Sequence, residues 1–358
     1  MIKIAILSLP VLIVLISINI YVDPANLYTK EKYEKGIVEL LCDSFNVTNV
    51  YNYDERLLQK HLIQCLHKEP ETVILGSSRS MLISSEFISN GLLNNGVSGA
   101  TIQDYLAIYN LYQKRKFYPK TIILGLEPWQ LNDNCEQNRW TSLANEYFEM
   151  LDNIGLQKYY QNLNIKIEVF KSKIDKYLQM VSFKYFQQSL SMLGSKTTYY
   201  PTKEIVNDNF TKQVDGSIYY DKKYRNIDSL EIIKAANSLI HSKPIYSLGN
   251  FTKLSDTNIE ILEKFVQYLN KQNVEIIFFL APYHPIVYDC FKTNDDLKIV
   301  LETEKFYIDL AKKYNIKLIG SFNPNTYRLK NIDFFDGIHC KNNAIKVIFS
   351  ENNNKKKN

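Results

Sequence analysis

Residues with the types and chain order needed for nucleophilic catalysis occur at two places in the sequence. Ser77 and Ser78 follow a short apolar run, and Asp336 and His339 are three residues apart near the C-terminus. A serine hydroxyl attacks at neutral pH only with a histidine base, and that base needs a carboxylate to hold its tautomer. Together these residues predict a serine nucleophile, although each pair alone is also typical of an ordinary turn or helix cap.

Strand and helix patterns alternate around these residues. Short apolar runs predict buried strands at 72–75, 120–125, 274–281 and 316–320, with a weaker strand near 96–97. Helical patterns lie between them, at 102–114, 258–271 and 304–314. Strands separated by helices predict a parallel sheet with right-handed crossovers. We therefore expect an α/β protein with a three-layer α/β/α fold and a mostly parallel sheet.

Polar and aromatic residues follow the predicted strands, at the edge where parallel sheets bind their ligands. This position makes five residues candidates for lining a binding pocket: Ser77, Arg79, Glu127, Trp129 and His284. His284 lies between two prolines and is equally consistent with packing. The G-x-S-x-G turn of α/β-hydrolases is absent, which disfavours that fold family.

Three segments resemble the SGNH/GDSL hydrolase superfamily. They are the Gly-x-Ser block at 76–78, a glycine in the loop at 95–100 and the Asp-x-x-His block at 336–339. More narrowly, the first block resembles that of the membrane-anchored bacterial branch, which has Gly-Ser-Ser-Arg in place of Gly-Asp-Ser-Leu. The resemblance covers roughly residues 70–135 and 270–350.

The resemblance implies a role for each matching residue. Ser78 would be the nucleophile, His339 the base and Asp336 its orienter, and the N–H groups of Ser78 and Gly99 would form an oxyanion hole. The family's third block, Gly-x-Asn-Asp, is replaced here by a block with Glu127 at the asparagine position. A carboxylate cannot donate unless protonated, so a substitute donor is expected among Arg79, Gln130 and Asn132.

The first 22 residues predict a transmembrane signal anchor. Ile4 to Val22 contains no charged residue, and Asp23 ends the run. As a helix at ~1.5 Å per residue, this run is close in length to a hydrocarbon core. No A-x-A-like cleavage site precedes Asp23, so we expect an uncleaved anchor with the remaining chain outside the cytoplasm. A buried core helix is the alternative.

The remaining chain divides by composition. We expect a stalk and cap segment at 23–70, an SGNH-like domain at 71–350 and a disordered tail at 351–358. Residues 141–250 interrupt the strand–helix alternation and predict a helical insertion, with a tight turn at Asp215-Gly216.

Cysteine spacing and charge exclude several classes of protein. The five cysteines show neither C-x-x-C nor zinc spacing, and Cys42 with Cys65 is the expected disulfide pair because the two flank a predicted helical hairpin. A net charge of only +5, without a basic cluster, disfavours nucleic-acid binding. No glycine-rich nucleotide motif occurs. We expect no metal and no organic cofactor.

These expectations lead to one function and one alternative. The first is an extracytoplasmic serine esterase or O-acyltransferase that acts through a Ser78 acyl-enzyme. The resemblance implies an acylated cell-surface polysaccharide or envelope polymer as substrate, and a transferase would need a multi-span membrane partner to supply acyl groups. The alternative is a non-catalytic protein of the same fold that binds a glycan or an assembly partner, which Glu127 in place of asparagine favours.

Overall fold

Helices and strands alternate along most of the chain. The computed structural model describes residues 2–28, 31–88, 91–159, 163–194, 198–206, 208–241, 248 and 250–354. The strands are β1 (Asn46–Thr48), β2 (Thr72–Leu75), β3 (Leu92–Asn94), β4 (Thr121–Gly125), β5 (Tyr200–Thr202), β6 (Thr211–Lys212), β7 (Ile218–Tyr219), β8 (Glu275–Leu280) and β9 (Lys317–Gly320). The helices are α1 (Ile2–Val22), α2 (Lys32–Cys42), α3 (Glu55–Cys65), α4 (Ile102–Lys114), α5 (Ala144–Asn153), α6 (Leu163–Leu178), α7 (Phe183–Met192), α8 (Lys222–Arg225), α9 (Ser229–His241), α10 (Asp256–Lys271), α11 (Pro285–Thr293), α12 (Ile299–Lys313) and α13 (Asn342–Asn354).

The central sheet has five parallel strands in the order β3-β2-β4-β8-β9. The strands β2, β4, β8 and β9 lie where the apolar runs predicted them. The weak strand near 96–97 was predicted in the wrong place, since the strand is β3 at Leu92–Asn94. The Asn94 side chain accepts a hydrogen bond from the Gly96 N–H at 2.9 Å, and this local turn follows the strand.

Apolar side chains from successive strand positions enter two separate cores. In β2, Val73 and Leu75 belong to one core and Ile74 to the other. β4 and β8 alternate in the same way, as strand geometry requires. Residues of α3, α4, α10 and α12 fill the first core, and those of α13 contribute to the second. Because both faces of the sheet are covered, the arrangement is compatible with a three-layer α/β/α fold.

A second, antiparallel sheet joins two distant parts of the chain, in the order β5-β1-β6-β7. β1 comes from the segment predicted to be a stalk, and the other three strands come from the insertion predicted to be helical. The α2 and α3 residues Ile37, Leu41, Leu58 and Leu62 are buried in the main core, so residues 23–70 are part of the fold rather than a separate stalk. The predicted turn at Asp215-Gly216 is confirmed between β6 and β7.

The predicted Cys42–Cys65 disulfide is confirmed, and it joins the C-terminal ends of α2 and α3 with Cα atoms 6.6 Å apart. At the other end of the chain, α13 continues to Asn354, so its last residues occupy the first part of the predicted disordered tail. The rest of that tail, 355–358, lies outside the described residues.

The last turn of α1 packs against the insertion. Asn19 is 0% exposed, and its side-chain amide donates to the carbonyl oxygens of Met180 at 2.9 Å and Ser182 at 3.2 Å. Tyr185 adds a hydrogen bond from its hydroxyl to Asp23 at 2.7 Å. Within the described part of the chain, no helix combines the length and apolarity that crossing a membrane requires.

Candidate active site

The turn after β2 brings Ser78 to the carboxyl edge of the central sheet. The turn is tight because two strand ends approach each other closely at glycines. A Cβ on Gly76 would lie 2.5 Å from the Cβ of Ser80, and one on Gly125 would lie 3.2 Å from the Cα of Gly76. No larger residue fits at either position without a shift of the backbone or of Ser80, and this explains the glycines at both strand ends.

Ser78, His339 and Asp336 form a continuous hydrogen-bonded chain. Ser78 Oγ lies 2.9 Å from His339 Nε2, and His339 Nδ1 lies 2.8 Å from Asp336 Oδ2. With the imidazole proton on Nδ1, where it is donated to Asp336, Nε2 can accept the Ser78 proton. Ser78 is half-buried, and the histidine and aspartate side chains are 17% and 26% exposed. The three groups predicted from sequence are therefore together and partly open to solvent.

The local fold at 336–339 and a tyrosine of the insertion position Asp336. Its Oδ1 accepts from the N–H groups of Ile338 at 2.7 Å and His339 at 2.8 Å, and its Oδ2 accepts from the Tyr224 hydroxyl at 2.6 Å. Burial alone would raise the pKa of Asp336, but the charge and hydrogen bond of His339, with the Tyr224 hydroxyl, hold that pKa well below its usual range. Asp336 is thus ionised at neutral pH and can keep a proton on Nδ1.

Ser77 has a different role from its neighbour. Its hydroxyl donates to Glu127 Oε1 at 2.6 Å and accepts from the Arg79 N–H at 3.1 Å, and the side chain is fully buried. Glu127 also pairs with the Arg79 guanidinium. Ser77 is therefore part of a buried polar network beneath the nucleophile.

Arg79 and Glu127, both predicted to line the pocket, are buried in the structure. Arg79 is 2% exposed and Glu127 1%. The Arg79 guanidinium also donates to the carbonyl oxygens of Ile338 at 3.0 Å and Pro282 at 2.9 Å. Burial favours its neutral form, but Glu127 raises the pKa of Arg79 and keeps the guanidinium charged. This ion pair ties the ends of β2, β4 and β8 to the segment that carries His339.

The oxyanion hole therefore gains no donor from Arg79. Gln130 is also engaged, since its side-chain NH₂ donates to the carbonyl of Ala100 at 3.3 Å and to the Tyr105 hydroxyl at 2.6 Å. Gly99 lies in the loop after β3, in the left-handed region with φ 58°. That loop is bonded to the nucleophile turn through Val97 N–H and Gly76 O at 3.0 Å.

Trp129 and His284 are buried beside the site. The Trp129 indole N–H donates to the Ala100 carbonyl at 3.0 Å, and its ring lines a small apolar cavity of about 20 Å³ together with Tyr283 and Ile338. His284 is fully buried, and its Nδ1 accepts from the Ile286 N–H at 3.3 Å. Burial lowers the pKa of His284 to about 4, although Asp336 acts in the opposite direction. These contacts favour packing roles for both residues.

The insertion supplies two site residues that the sequence analysis missed. Tyr224 bonds Asp336, and the Tyr220 ring lies 6.4 Å from the His339 ring. No sequence signal distinguishes these tyrosines from the others of an aromatic-rich chain, because their role depends on how the insertion folds over the sheet edge.

Comparison of the chain with protein-family models and with curated proteins finds no match. Among the side chains that the structure describes, no group of three or more His, Cys, Asp or Glu residues could hold a metal ion. Function is therefore inferred from the geometry around Ser78 and from the sequence resemblance.

Proposed function

We propose that the protein is a serine esterase or O-acyltransferase of the SGNH type. The observation that carries this proposal is the hydrogen-bonded chain from Ser78 through His339 to Asp336, with distances of 2.9 and 2.8 Å. Ser78 follows the end of β2, and Asp336 and His339 come near the C-terminus, in the chain order that the family resemblance requires.

The geometry supports a two-step acyl transfer. Ser78 Oγ attacks the carbonyl carbon of an ester while its proton passes to His339 Nε2. The bond from that carbon to the alcohol oxygen breaks, and the departing alcohol takes the proton from His339. In the second step a water molecule or a sugar hydroxyl attacks the acyl-enzyme and gives its proton to His339, and Ser78 Oγ is regenerated with that proton. Asp336 stays ionised throughout and stabilises the imidazolium.

Backbone N–H groups of Ser78 and Gly99 are the proposed donors to the negatively charged oxygen. A missing oxyanion donor costs about 10²–10³ in rate in other enzymes. Replacement of the family asparagine by Glu127 therefore implies slower ester cleavage, or a hydrogen-bond donor on the substrate, such as a sugar hydroxyl, that supplies the missing hydrogen bond.

The proposed substrate is an acylated cell-surface polysaccharide or related envelope polymer, as the resemblance suggests. A transferase would receive its acyl groups from a multi-span membrane partner. No metal or organic cofactor is needed for either reaction.

We propose that α1 anchors the protein to the cell membrane with the catalytic domain outside the cytoplasm. Two observations support this location. The disulfide between Cys42 and Cys65 suits an oxidising compartment. Large apolar side chains are exposed both on α1 and on the adjoining insertion, namely Leu9, Val11, Ile13, Phe170, Tyr177, Val181 and Phe183.

A non-catalytic binding protein is the second candidate. The observation that favours it is the absence of the asparagine donor, since Glu127 is engaged in the ion pair with Arg79. Such a protein would use the same cleft to hold a glycan without cleaving it.

Covalent labelling with a fluorophosphonate distinguishes these candidates. We expect the wild-type protein to react at Ser78 and Ser78→Ala to show no labelling. Ser77→Ala is the matched control, because it removes a neighbouring hydroxyl that is bonded to Glu127 rather than to His339, and it should retain labelling. Equal labelling of wild type and Ser78→Ala, or no labelling of folded wild type, would favour the binding protein.

A further inference from the structure

The β6–β7 hairpin of the insertion is bonded directly to the region around the nucleophile. The Ile218 N–H donates to the carbonyl of Met81 at 3.0 Å, and the Asn94 N–H donates to that of Asp215 at 2.7 Å. Gly216 has φ 77°, and a Cβ there would collide with the Asn94 backbone. The hairpin is therefore held tightly over the segment that begins at Ser78.

Lys212 lies on the inner face of this hairpin. Its cross-strand neighbours are Val47 and Ile218, and neighbours in register point to the same face of a sheet. Both neighbours are buried in the cores that cover the central sheet. Lys212 itself is only 1% exposed. Its side chain thus lies on the buried face of the small sheet, together with Val47 and Ile218.

The Lys212 ammonium has no hydrogen bond or ion pair with any residue that the structure describes. The acidic groups that act on it from a distance are Glu55 on α3 and Asp215 in the hairpin turn. Glu55 is engaged by the N–H and, at 2.8 Å, the hydroxyl of Ser98, the residue before Gly99. Asp215 accepts from the Ser85 N–H at 2.7 Å.

A buried ammonium without a partner destabilises a fold, so its presence requires another explanation. Burial lowers the pKa of Lys212 to about 8, which leaves the ammonium mostly charged at pH 7. Glu55 connects this charge with the proposed oxyanion glycine, because the Ser98 hydroxyl that bonds Glu55 belongs to the residue before Gly99.

We propose that Lys212 binds an anionic substituent, a carboxylate or a phosphate, on the substrate whose ester reacts with Ser78. This inference rests on the proposed function and deepens it, because it makes the natural substrate an acidic polymer. Hydrogen bonds between the Lys212 ammonium and an anionic group are stronger than those between neutral groups. The site would therefore bind an anionic polymer more tightly than a neutral one, and this difference in affinity gives specificity.

The test measures acetate release from three acetylated compounds: methyl glucuronoside with a free carboxylate, glycerol phosphate and the neutral methyl glucoside. We expect wild type to prefer at least one anionic ester, and Lys212→Met to reduce the ratio of anionic to neutral kcat/KM at least tenfold. The anionic ester that is cleaved faster shows whether Lys212 binds a carboxylate or a phosphate. Lys222→Met is the matched control, because Lys222 is 62% exposed and pairs with Asp208 on the surface, and it should keep the wild-type ratio. An unchanged ratio in Lys212→Met would overturn the proposal.

Failure of the proposed function would be recognised separately. If wild type cleaves none of the three esters, binding of methyl glucuronoside and glycerol phosphate to wild type and Lys212→Met is measured by calorimetry. Binding by wild type that weakens at least tenfold in the variant supports the lysine site without catalysis, and equal binding, or none, overturns it. Lys212→Met should remain folded because it removes an unpaired buried charge, and circular dichroism checks this. If Lys212→Met does not fold, the same measurements are made on Lys212→Gln.

Discussion

Adjacent serines at the nucleophile turn have separate roles because their hydroxyls contact different partners. Ser78 Oγ lies 2.9 Å from His339 Nε2 and is partly exposed, whereas Ser77 is buried against Glu127. The ion pair of Glu127 with Arg79 lies beneath both. Glu127 thus has a structural role at the base of the site.

The first prediction concerns this buried ion pair. Glu127→Gln should lower the free energy of unfolding by about 3–5 kcal/mol, because it leaves the Arg79 charge buried without a counter-ion. Urea unfolding monitored by circular dichroism measures the loss. The control is Glu71→Gln, which removes a carboxylate from an exposed pair with Lys120 and should cost less than about 1 kcal/mol. Equal losses in the two variants would mean that the buried pair contributes no more to stability than the exposed pair does.

The second prediction follows from the lowered pKa of Lys212. In the folded protein this pKa is about 8, whereas an exposed lysine in the unfolded chain has a value of about 10.4. At a pH between these two pKa values, Lys212 is protonated in the unfolded chain but not in the folded protein. The contribution of Lys212 to the free energy of unfolding therefore increases as the pH rises. The free energy of unfolding of wild type should therefore increase relative to that of Lys212→Met between about pH 7.5 and 9.5. Parallel pH dependence of the two proteins would contradict the shifted pKa.

At the scale of elements, α2 and α3 form a disulfide-linked pair that supports the nucleophile's surroundings. Glu55 at the start of α3 bonds Ser98, and Arg56 donates to Asp104 of α4 at 2.9 Å. Asp54 begins α3 by accepting from the Arg56 N–H at 2.9 Å. The helix pair is thus connected through side chains to the loop that contains Gly99.

The third prediction tests the covalent link between these helices. The Cys42–Cys65 bridge spans 23 residues of sequence, and a loop of this size contributes about 3 kcal/mol in the chain-entropy treatment. The double variant Cys42→Ser/Cys65→Ser should therefore lose about that much in the free energy of unfolding. Cys290→Ser, at a free and partly buried cysteine, is the control and should change little. A double variant as stable as wild type would show that helix packing alone suffices.

At the scale of the whole molecule, the N-terminal helix and the insertion are connected. The last turn of α1 is bonded through Asn19 to the segment between α6 and α7. Asp23, the residue after α1, accepts a hydrogen bond from Tyr185 of α7. The insertion also contacts the proposed catalytic residues, through the Tyr224 hydroxyl that bonds Asp336. The proposed membrane anchor is therefore joined to the part of the molecule that forms one wall of the site.

The fourth prediction concerns where the anchor can be removed. Deletion of residues 1–18 keeps Asn19, whose side chain makes the buried hydrogen bonds to Met180 and Ser182, and this protein should be soluble and folded. Deletion of residues 1–22 removes Asn19 and should lower the melting temperature, because the carbonyl oxygens of Met180 and Ser182 lose their hydrogen-bond donor. Thermal unfolding of the two truncated proteins measures the difference. Equal melting temperatures would mean that the last turn of α1 adds no stability.

Much of the central sheet, and the residues of the proposed triad, could be predicted from sequence alone. The strands β2, β4, β8 and β9 coincide with apolar runs, because a strand buried on both faces is continuously apolar. Ser78, Asp336 and His339 could be identified because they lie at strand ends and turns in a recognisable order. The disulfide could be predicted because its cysteines lie in neighbouring helical segments, only 23 residues apart in sequence.

The tertiary structure alone decided which other residues reach the site and which do not. Asn46–Thr48 pairs with strands of the insertion more than a hundred residues later, and that small sheet buries Lys212. Tyr224, in the helix that follows the small sheet, bonds Asp336. The burial of Arg79 and Glu127 depends on three strand ends meeting at one point. Local patterns of apolar and polar residues describe each segment separately. Contacts between distant segments depend on how complete elements pack, and a single sequence carries no periodic signal for that packing.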